Sequence, residues 1–348
     1  MKVSTALAAL LIAAATWSAR ADADSDWAKV LKFDSGPSAT PASHEEAVRI
    51  AHEFFGRQQA ALREFIAAYP SDPHVLDAKL RLISIQAAEG EMDQQPEQVR
   101  QALLAFMALE RSPNTPPSRL PDVAFRRISL EMQTFQGTKE QIREAVVTAA
   151  RNYAIRFPDD KRAPRLLVEA ATECDDTPDT MRDLLTTARS LSKEAALDDR
   201  IADDMRRLNT LGTPVNAKFS TIQGDIIDLA ALRGNVVVLI FWAAESPPSL
   251  LWLQRFCKDI SHIPQDQLKI VTISLDESRK DVDEAVRMLN LTWPVNFDGK
   301  GWENAVARPL GINALPTVWI LDKHGILRTL NARDSYDYWI QRLERERY

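Results

Sequence analysis

The sequence predicts a multidomain protein in which an all-α domain of helical hairpins precedes an α/β domain with a mixed central sheet. Three observations predict this. The 348 residues include 45% hydrophobic and 26% charged residues, a globular composition that suits about two domains. Composition changes near residue 211, since residues 24–211 hold four glycines and one tryptophan, whereas residues 212–348 hold seven glycines and six tryptophans. Apolar residues also recur with helical spacing before that point and form continuous runs after it.

Residues 1–23 have the pattern of a secretory signal peptide. Lys2 precedes an apolar run at 6–17, and Ala21-Asp22-Ala23 is a small-x-small cleavage pattern. The run is shorter than the roughly 18 to 20 residues that span a bilayer, so we expect no membrane span after cleavage, with an uncleaved anchor as the alternative. The expected location is the periplasm or the outside of the cell, which is an oxidising compartment.

Charge and residue spacing argue against a nucleic-acid partner and against a metal site. The formal net charge is -6, and no basic stretch is available to neutralise phosphates, which argues against a nucleic-acid partner. No spacing of His and Cys typical of a metal site occurs in the sequence. We therefore expect neither a metal nor another cofactor.

Residues 24–210 are predicted to form the helical domain. Apolar residues between 47 and 66 follow one face of a helix, and the alternation typical of strands is absent. Breaks rich in Pro, Ser and Thr, as at 70–73 and 112–117, divide this part into about eight helices.

A short pattern recurs within the helical domain. Phe65-x-x-x-Tyr69-Pro70-x-Asp72 reappears 88 residues later as Tyr153-x-x-x-Phe157-Pro158-x-Asp160. Proline should end each helix, and the aspartate should cap the next one. Two hairpins per period give units of about 44 residues, so the region resembles tetratricopeptide-like repeats. Such stacks commonly present a concave binding surface, and a helical spacer without a ligand is the alternative.

Residues 211–348 are predicted to form the α/β domain. A short hairpin is expected around Gly224-Asp225. The continuous apolar run 236–242 is typical of a strand that is covered on both faces. Further strands are expected at 268–274 and 317–321, and helices at 247–260, 278–290 and 334–346.

Seven short motifs follow one another in this second domain. They are Leu211-Gly212-x-Pro214, Leu229-x-x-Leu232-Arg233-Gly234, Phe241-Trp242-Ala243, Ser274-x-Asp276, Trp293-Pro294, Gly311-Ile312-Asn313-Ala314-Leu315-Pro316-Thr317 and Leu321-Asp322-x-x-Gly325. In this order they resemble the TlpA/ResA-type thioredoxin-like proteins of the redoxin/AhpC-TSA superfamily. The resemblance implies a thioredoxin-like fold over about 211–346, with a cis proline at Pro316 that faces the active site.

The resemblance also implies where thiol-disulfide chemistry would lie. Members of the family carry Cys-x-x-Cys directly after the Phe-Trp-Ala strand end, whereas this chain has Ser246-Pro247-Pro248-Ser249. A hydroxyl replaces neither the thiolate that attacks a disulfide nor the thiol that releases the mixed disulfide. Ser246 is nonetheless a favoured helix N-cap, and Pro247 suits the first position of the helix. We therefore expect no catalytic residue at the two degenerate positions, Ser246 and Ser249.

The expected function is a non-redox protein-interaction module of the cell envelope. Its partner would be a protein or an extended peptide. The backbone of that partner would pair with exposed backbone beside the cis proline. The residues expected to line the groove are Trp242, Glu245, Ser246, Pro247, Pro248, Ser249, Leu315 and Pro316.

Three alternatives stay open at this point. A thiol-disulfide oxidoreductase or antioxidant of the redoxin family would need Cys174 or Cys257 to be exposed and activated, and a disulfide between the two cysteines is a separate possibility. Cys257 lies about 12 Å along a helix from Ser249, too far to replace a resolving cysteine on that turn. A hydrolase would need His262 or His324 beside a serine. A purely structural domain would fill the groove with its own side chains.

Overall fold

The computed structural model describes residues 22–260 and 268–347. The chain divides into two compact units between Thr138 and Lys139. Residues 1–21, which hold nearly all of the predicted signal peptide, lie outside the described part, and so does His262. No helix in the described part is long and apolar enough to cross a membrane.

The first unit consists of helices. They are α1 (22–31), α2 (His44–Ala68), α3 (Val75–Met92), α4 (Pro96–Arg111) and α5 (Leu120–Thr134). Trp27 of α1 is buried with Leu62 and Phe65 of α2, and its ring stacks on that of His74 with 4.7 Å between the centroids. The first helix therefore belongs to the packed core of this unit.

The end of α2 has the local structure that its sequence pattern predicts. The Phe65 and Tyr69 rings, one turn apart, pack with centroids 5.2 Å apart. The helix stops at Ala68, before Pro70. Asp72 Oδ1 then accepts a hydrogen bond from the backbone N–H of His74 at 2.8 Å.

The second copy of the pattern ends its helix in the same way. The Tyr153 and Phe157 rings lie 5.1 Å apart, and Asp160 Oδ1 accepts from the backbone N–H of Arg162 at 2.9 Å. Asp72 lies two positions before the N-cap His74, and Asp160 lies one position before the N-cap Lys161. Each aspartate therefore holds the turn before the following helix and does not cap that helix, which corrects the prediction. That whole hairpins repeat stays a prediction.

The second unit begins with four more helices. They are α6 (Lys139–Arg156), α7 (Arg162–Thr172), α8 (Pro178–Leu191) and α9 (Ala195–Thr210). Nine α-helices therefore precede residue 211 within the described chain, against about eight expected. The change from helical to α/β structure follows α9, close to the predicted change in composition.

A mixed five-stranded sheet forms the centre of the α/β part, which confirms the predicted fold class. Its strands are β3 (Val236–Trp242), β4 (Leu268–Ser274), β5 (Val295–Asn296), β6 (Thr317–Leu321) and β7 (Leu327–Thr329). Their order in the sheet is β5-β4-β3-β6-β7, with β3 parallel to β4 and antiparallel to β6. The hairpin of β1 (Lys218–Ser220) and β2 (Ile226–Asp228) forms a separate sheet.

The helices of the α/β part cover the sheet. They are α10 (Pro247–Asp259), α11 (Arg279–Leu289) and α12 (Tyr336–Arg345). Every residue of β3 is buried, as its continuous apolar run predicts. Val238, Ile240 and Trp242 share one core cluster with Phe256 of α10 and Ile340 of α12. This face of the central strand therefore holds α10 in place, and with it the turn where the candidate site lies.

Candidate functional site

The candidate site lies at one edge of the central sheet. Phe241 pairs with Thr317 across β3 and β6, and Trp242 pairs with Ser274 across β3 and β4. The loops that follow β3 and β4 and the loop that precedes β6 therefore meet at this edge. The Leu315–Pro316 peptide bond is cis, as the resemblance implied.

The start of α10 confirms the predicted cap. Ser246 is the N-cap, and its Oγ accepts from the backbone N–H of Ser249 at 3.4 Å. The Ser249 hydroxyl also donates to Ser246 Oγ, at 3.0 Å. Pro247 and Pro248 occupy the first two helical positions, where a missing N–H costs no intrahelical bond. The two serines therefore bond to each other.

A buried carboxylate that is not among the predicted site residues holds the preceding loop. Asp276 is only 3% exposed. It accepts from the backbone N–H groups of Ala244, at 2.8 and 3.0 Å, and Glu245, at 3.4 Å. It also accepts from the Ser274 hydroxyl at 2.7 Å. A charged residue two positions after a buried strand was the available signal.

Almost every backbone N–H between β3 and the first turn of α10 thus donates a hydrogen bond to another group of the protein. Ala244 and Glu245 donate to Asp276, and Ser246 donates to the carbonyl of Ala243. The two prolines have no N–H, and Ser249 donates to the N-cap. A helix N-terminus usually attracts anions and stabilises thiolates, but in the described structure every backbone N–H between residues 244 and 249 already donates within the protein.

The predicted groove residues differ widely in exposure. Trp242 and Ser249 are 0% exposed, and Pro316 is buried. The indole of Trp242 belongs to the core rather than to an open groove, which corrects its predicted place. Side chains alternate along a strand, so Trp242 lies on the same face as Val238 and Ile240 and packs in one cluster with residues of α10 and α12.

The surface of the site is formed by the remaining predicted residues. Glu245, Pro247 and Pro248 are exposed, whereas Ser246 and Leu315 are half-buried. A groove at this place would therefore be lined by a carboxylate, two proline rings and Leu315.

The two cysteines are free and are not paired with each other. Cys174 is fully buried, and its Sγ contacts the carbonyl oxygen of Ala170 at 3.4 Å. Burial raises the pKa of the Cys174 thiol, an effect that a hydrogen bond to Thr177 opposes. Cys257, on α10, is partly buried against the core cluster of the α/β part. Burial raises the pKa of its thiol too. Both thiols therefore form less thiolate at neutral pH than an ordinary cysteine.

Within the described residues of the α/β part, the histidine is His324, and it lies away from the two serines. His324 follows β6, beyond Leu321, which pairs with Val237 at the start of β3. It is thus at the opposite end of the sheet from Ser246. Within 22–260 and 268–347, no three His, Cys, Asp or Glu side chains form a group that could hold a metal ion.

The loop that leads to the cis proline is attached to α9. Asn313 Nδ2 donates to Asp204 Oδ1 at 3.0 Å. Arg207, which is 6% exposed, contacts Asp204 at 3.2 Å and Asp175 at 3.4 Å. Burial raises the pKa of Asp175, and nearby Asp204 raises it further, whereas Arg207 lowers it.

At Gly311 the backbone of α9 comes into direct contact with this loop. A Cβ at Gly311, whose φ is +73°, would lie 2.2 Å from the carbonyl oxygen of Asp203. No side chain fits there, so a glycine is required both by the left-handed backbone conformation and by the close approach of the helix.

Two curated relatives match the second half of the chain. Sporulation thiol-disulfide oxidoreductase A of Bacillus subtilis is 28% identical over 108 residues, which are 30% of this chain and 63% of that protein. Thiol-disulfide oxidoreductase ResA of Halalkalibacterium halodurans is 28% identical over 111 residues, 32% of this chain and 61% of that protein. The chain thus spans less than two thirds of the length of either relative.

A solved structure is similar to the same part of the chain. The thioredoxin domain of a thiol-disulfide oxidoreductase from Bacteroides vulgatus is 18% identical, and the match covers 38% of this chain and 97% of that one with a TM-score of 0.35.

A family model supports the assignment that the motifs indicated. Residues 212–330 match the model of the AhpC/TSA family. This range begins directly after α9 and contains β1 to β7, α10 and α11. The C-terminal region of this chain is therefore a redoxin domain of the AhpC/TSA family, homologous to ResA-type thiol-disulfide oxidoreductases and preceded by a helical region.

Proposed function

We propose that the redoxin domain binds an extended polypeptide at the start of α10 and does not exchange disulfides there. The observation that carries this proposal is the mutual hydrogen bonding of Ser246 and Ser249 at the first turn of the helix. The position matches that of the family's cysteine pair in the order of motifs. Two hydroxyls in this place cap a helix but cannot form a mixed disulfide.

The two cysteines of the chain give little support to a redox role elsewhere. Disulfide exchange needs an accessible thiol with a low pKa. Cys174 is inaccessible, Cys257 is half-buried, and burial raises the thiol pKa of both. These surroundings are typical of inert cysteines.

A hydrolase is disfavoured by the same loop. Acyl transfer needs a base beside the serine and backbone donors that stabilise an oxyanion. The backbone donors around Ser246 are used by Asp276 and by the cap. Ser249 is fully buried, and His324 lies at the other end of the sheet.

The exposed residues at the start of α10 suit a peptide ligand. Leu251 is 68% exposed, and it follows Pro247 by four positions and Pro248 by three, so the three side chains share one helix face. Glu245 adds a negative charge beside them. This arrangement favours a ligand with an apolar side chain next to a basic one, whose backbone runs along the loop before Pro316.

Selection from a random seven-residue peptide library displayed on phage tests the binding proposal. Affinity for the selected peptides is then measured by fluorescence anisotropy. We expect Leu251→Asp and Glu245→Lys each to weaken binding at least tenfold. Met288→Asp alters an equally exposed apolar residue, on α11, and is expected to have no effect. Failure to select any peptide, or equal binding by all variants, would contradict the proposal.

Insulin reduction in dithiothreitol tests the redox alternative. We expect the wild-type chain and the Cys174→Ser/Cys257→Ser variant to give the same rate as dithiothreitol alone. A faster rate with the wild type that Cys257→Ser abolishes would establish an oxidoreductase that uses this thiol. Labelling with iodoacetamide in the native state gives a second reading, since slow labelling of both thiols is expected.

An envelope location also belongs to the proposal. It is supported by Lys2, the apolar run at 6–17 and the Ala21-Asp22-Ala23 pattern. Expression in a Gram-negative host followed by intact-mass measurement is expected to give a chain that starts at Asp24 in the periplasmic fraction. An uncleaved chain in the cytoplasmic fraction would refute export.

A further inference from the structure

A groove with an apolar floor lies between α3 and α5 in the first unit. Arg126 Nη1 donates to Ser84 Oγ at 3.3 Å, and Gln133 Nε2 donates to Glu91 Oε2 at 2.7 Å. Glu91 follows Ser84 by seven positions on α3, and Gln133 follows Arg126 by seven positions on α5. The two helices therefore run in the same direction. The cavity between them measures about 350 Å³, and buried Phe106 of α4 lines it.

The two ends of this groove carry opposite charges. At one end, Glu91 Oε1 is buried and has no hydrogen-bond partner among the described residues. A buried carboxylate oxygen that lacks a donor is costly, so an ammonium group or N–H placed there gains a strong interaction. At the other end, the exposed Arg126 has no carboxylate partner within the described chain. Its guanidinium can bind a carboxylate with two parallel hydrogen bonds.

The spacing of these charges sets the length of the ligand. Seven residues of α-helix rise about 10 Å, and three extended residues also span about 10 Å. The cavity volume falls within the range of about 300 to 1,000 Å³ that is typical of small-ligand sites. We infer that this groove binds a free tripeptide, with its α-ammonium at Glu91, its α-carboxylate at Arg126 and an apolar central side chain over Phe106. This site is independent of the function proposed for the redoxin domain.

A neighbouring cavity does not offer the same pair of charges. It measures about 520 Å³ and shares Glu91 and Gln133 with the first. Its arginine, Arg100, is held by Glu97 through hydrogen bonds of 2.7 and 2.6 Å. A ligand carboxylate would have to compete with Glu97 there, so the groove beside Arg126 is the better site.

Isothermal titration of the full chain with the tripeptide Ala-Leu-Ala tests the inference. We expect saturable binding that falls at least tenfold when the peptide is N-acetylated and at least tenfold when it is C-amidated. Arg126→Gln should weaken binding of Ala-Leu-Ala but not of its amide, and Glu91→Gln should weaken binding of Ala-Leu-Ala but not of its N-acetyl form. Arg111→Gln removes an exposed cation of α4 and should change nothing.

The outcomes separate a specific site from other causes. Circular dichroism during thermal unfolding checks that each variant is folded, and Arg126→Gln alters an exposed side chain. No binding at millimolar Ala-Leu-Ala by the folded wild type would overturn the inference. The inference would also be overturned if the N-acetylated and C-amidated peptide bound as tightly as free Ala-Leu-Ala. The groove would then bind an internal peptide segment, and the two terminal charges would not contribute to affinity.

Discussion

Asn313 and Asp204 are joined by a hydrogen bond of 3.0 Å that connects the loop before the cis proline to the last helix of the helical region. The residues are 109 positions apart, and Asp204 precedes the range that matches the AhpC/TSA family. The helical region therefore supports a loop of the redoxin domain directly, three residues before Pro316.

Asn313→Ala should destabilise the second unit. The substitution removes a donor from Asp204, which is 2% exposed and whose Oδ2 already has no partner in the described structure. We expect a loss of about 1–3 kcal/mol in the free energy of unfolding, measured with urea and tryptophan fluorescence. Asn209→Ala, at an exposed asparagine bonded to Arg182 on the neighbouring helix, should cost less than about 0.5 kcal/mol. Equal losses would show that Asp204 does not depend on this bond.

Gly311→Ala should be more damaging than a glycine substitution in open space. Its Cβ would overlap the carbonyl oxygen of Asp203, so α9 and the loop must separate. Gly212→Ala is the matched control, because Gly212 has φ +75° and nothing within 4 Å of a Cβ. The control should cost about 1–2 kcal/mol through backbone strain alone, and Gly311→Ala about 1–3 kcal/mol more. Similar midpoints of urea unfolding for the two variants would contradict the close contact.

Asp276→Asn should loosen the loop before α10. The new side chain keeps one acceptor oxygen, but it places an NH₂ group where Oδ2 of Asp276 now accepts from the Ala244 N–H and the Ser274 hydroxyl. We expect a loss of about 1–3 kcal/mol in the free energy of unfolding and faster hydrogen exchange at Ala244 and Glu245, measured by NMR. Asp283→Asn, on the exposed face of α11, should leave exchange at both amides unchanged. Unchanged exchange in Asp276→Asn would show that the carboxylate does not hold the loop.

The raised pKa of Asp175 predicts a pH dependence of stability. Because burial raises the pKa of this acid in the folded state, the folded chain binds the proton more tightly than the unfolded chain. The contribution of Asp175 to stability is therefore present below its unfolded pKa of about 3.9 and is lost as the pH rises through its higher folded pKa. Asp175→Asn should thus be more stable than the wild type at pH 7, and this advantage should shrink toward pH 4.

Thermal unfolding across pH 4–8 measures this effect. Asp176→Asn is the control, since Asp176 pairs with Arg143 and its side chain is 49% exposed. A pH profile of Asp175→Asn that parallels that of the wild type would contradict the assigned direction. A less stable variant at pH 7 would mean that Arg207 stabilises the charged form of Asp175 more than burial disfavours it.

Much of the α/β part could be predicted from local sequence, because its signals are continuous. The run from Val236 to Trp242 predicts the buried central strand, and Ser246-Pro247 predicts the start of α10. The two-residue strand β5 gave no such signal, since it is defined by its pairing with β4. The period of two along β3 also places Trp242 on the same face as Val238 and Ile240, and therefore in the core.

The contacts that position the site could not be predicted in the same way. Asn313 and Asp204 are far apart in sequence, and neither residue type favours the other over any other polar group. The close approach at Gly311 depends on where α9 lies in space. Asp276 was recognisable as a charged residue next to a buried strand, but its partners are backbone groups whose directions only the folded loop determines.

The consecutive prolines at the head of α10 also limit what protein engineering can achieve here. If Ser246 and Ser249 were both changed to cysteine, the sulfur at 246 would face a helix end with two ring nitrogens in place of amide hydrogens. Only the backbone N–H of residue 249, which now donates to Ser246 Oγ, would then reach that sulfur, so its thiolate would gain less stabilisation than at a helix end with free amides. Replacing Pro247 or Pro248 together with both serines would return a backbone N–H to this end of the helix.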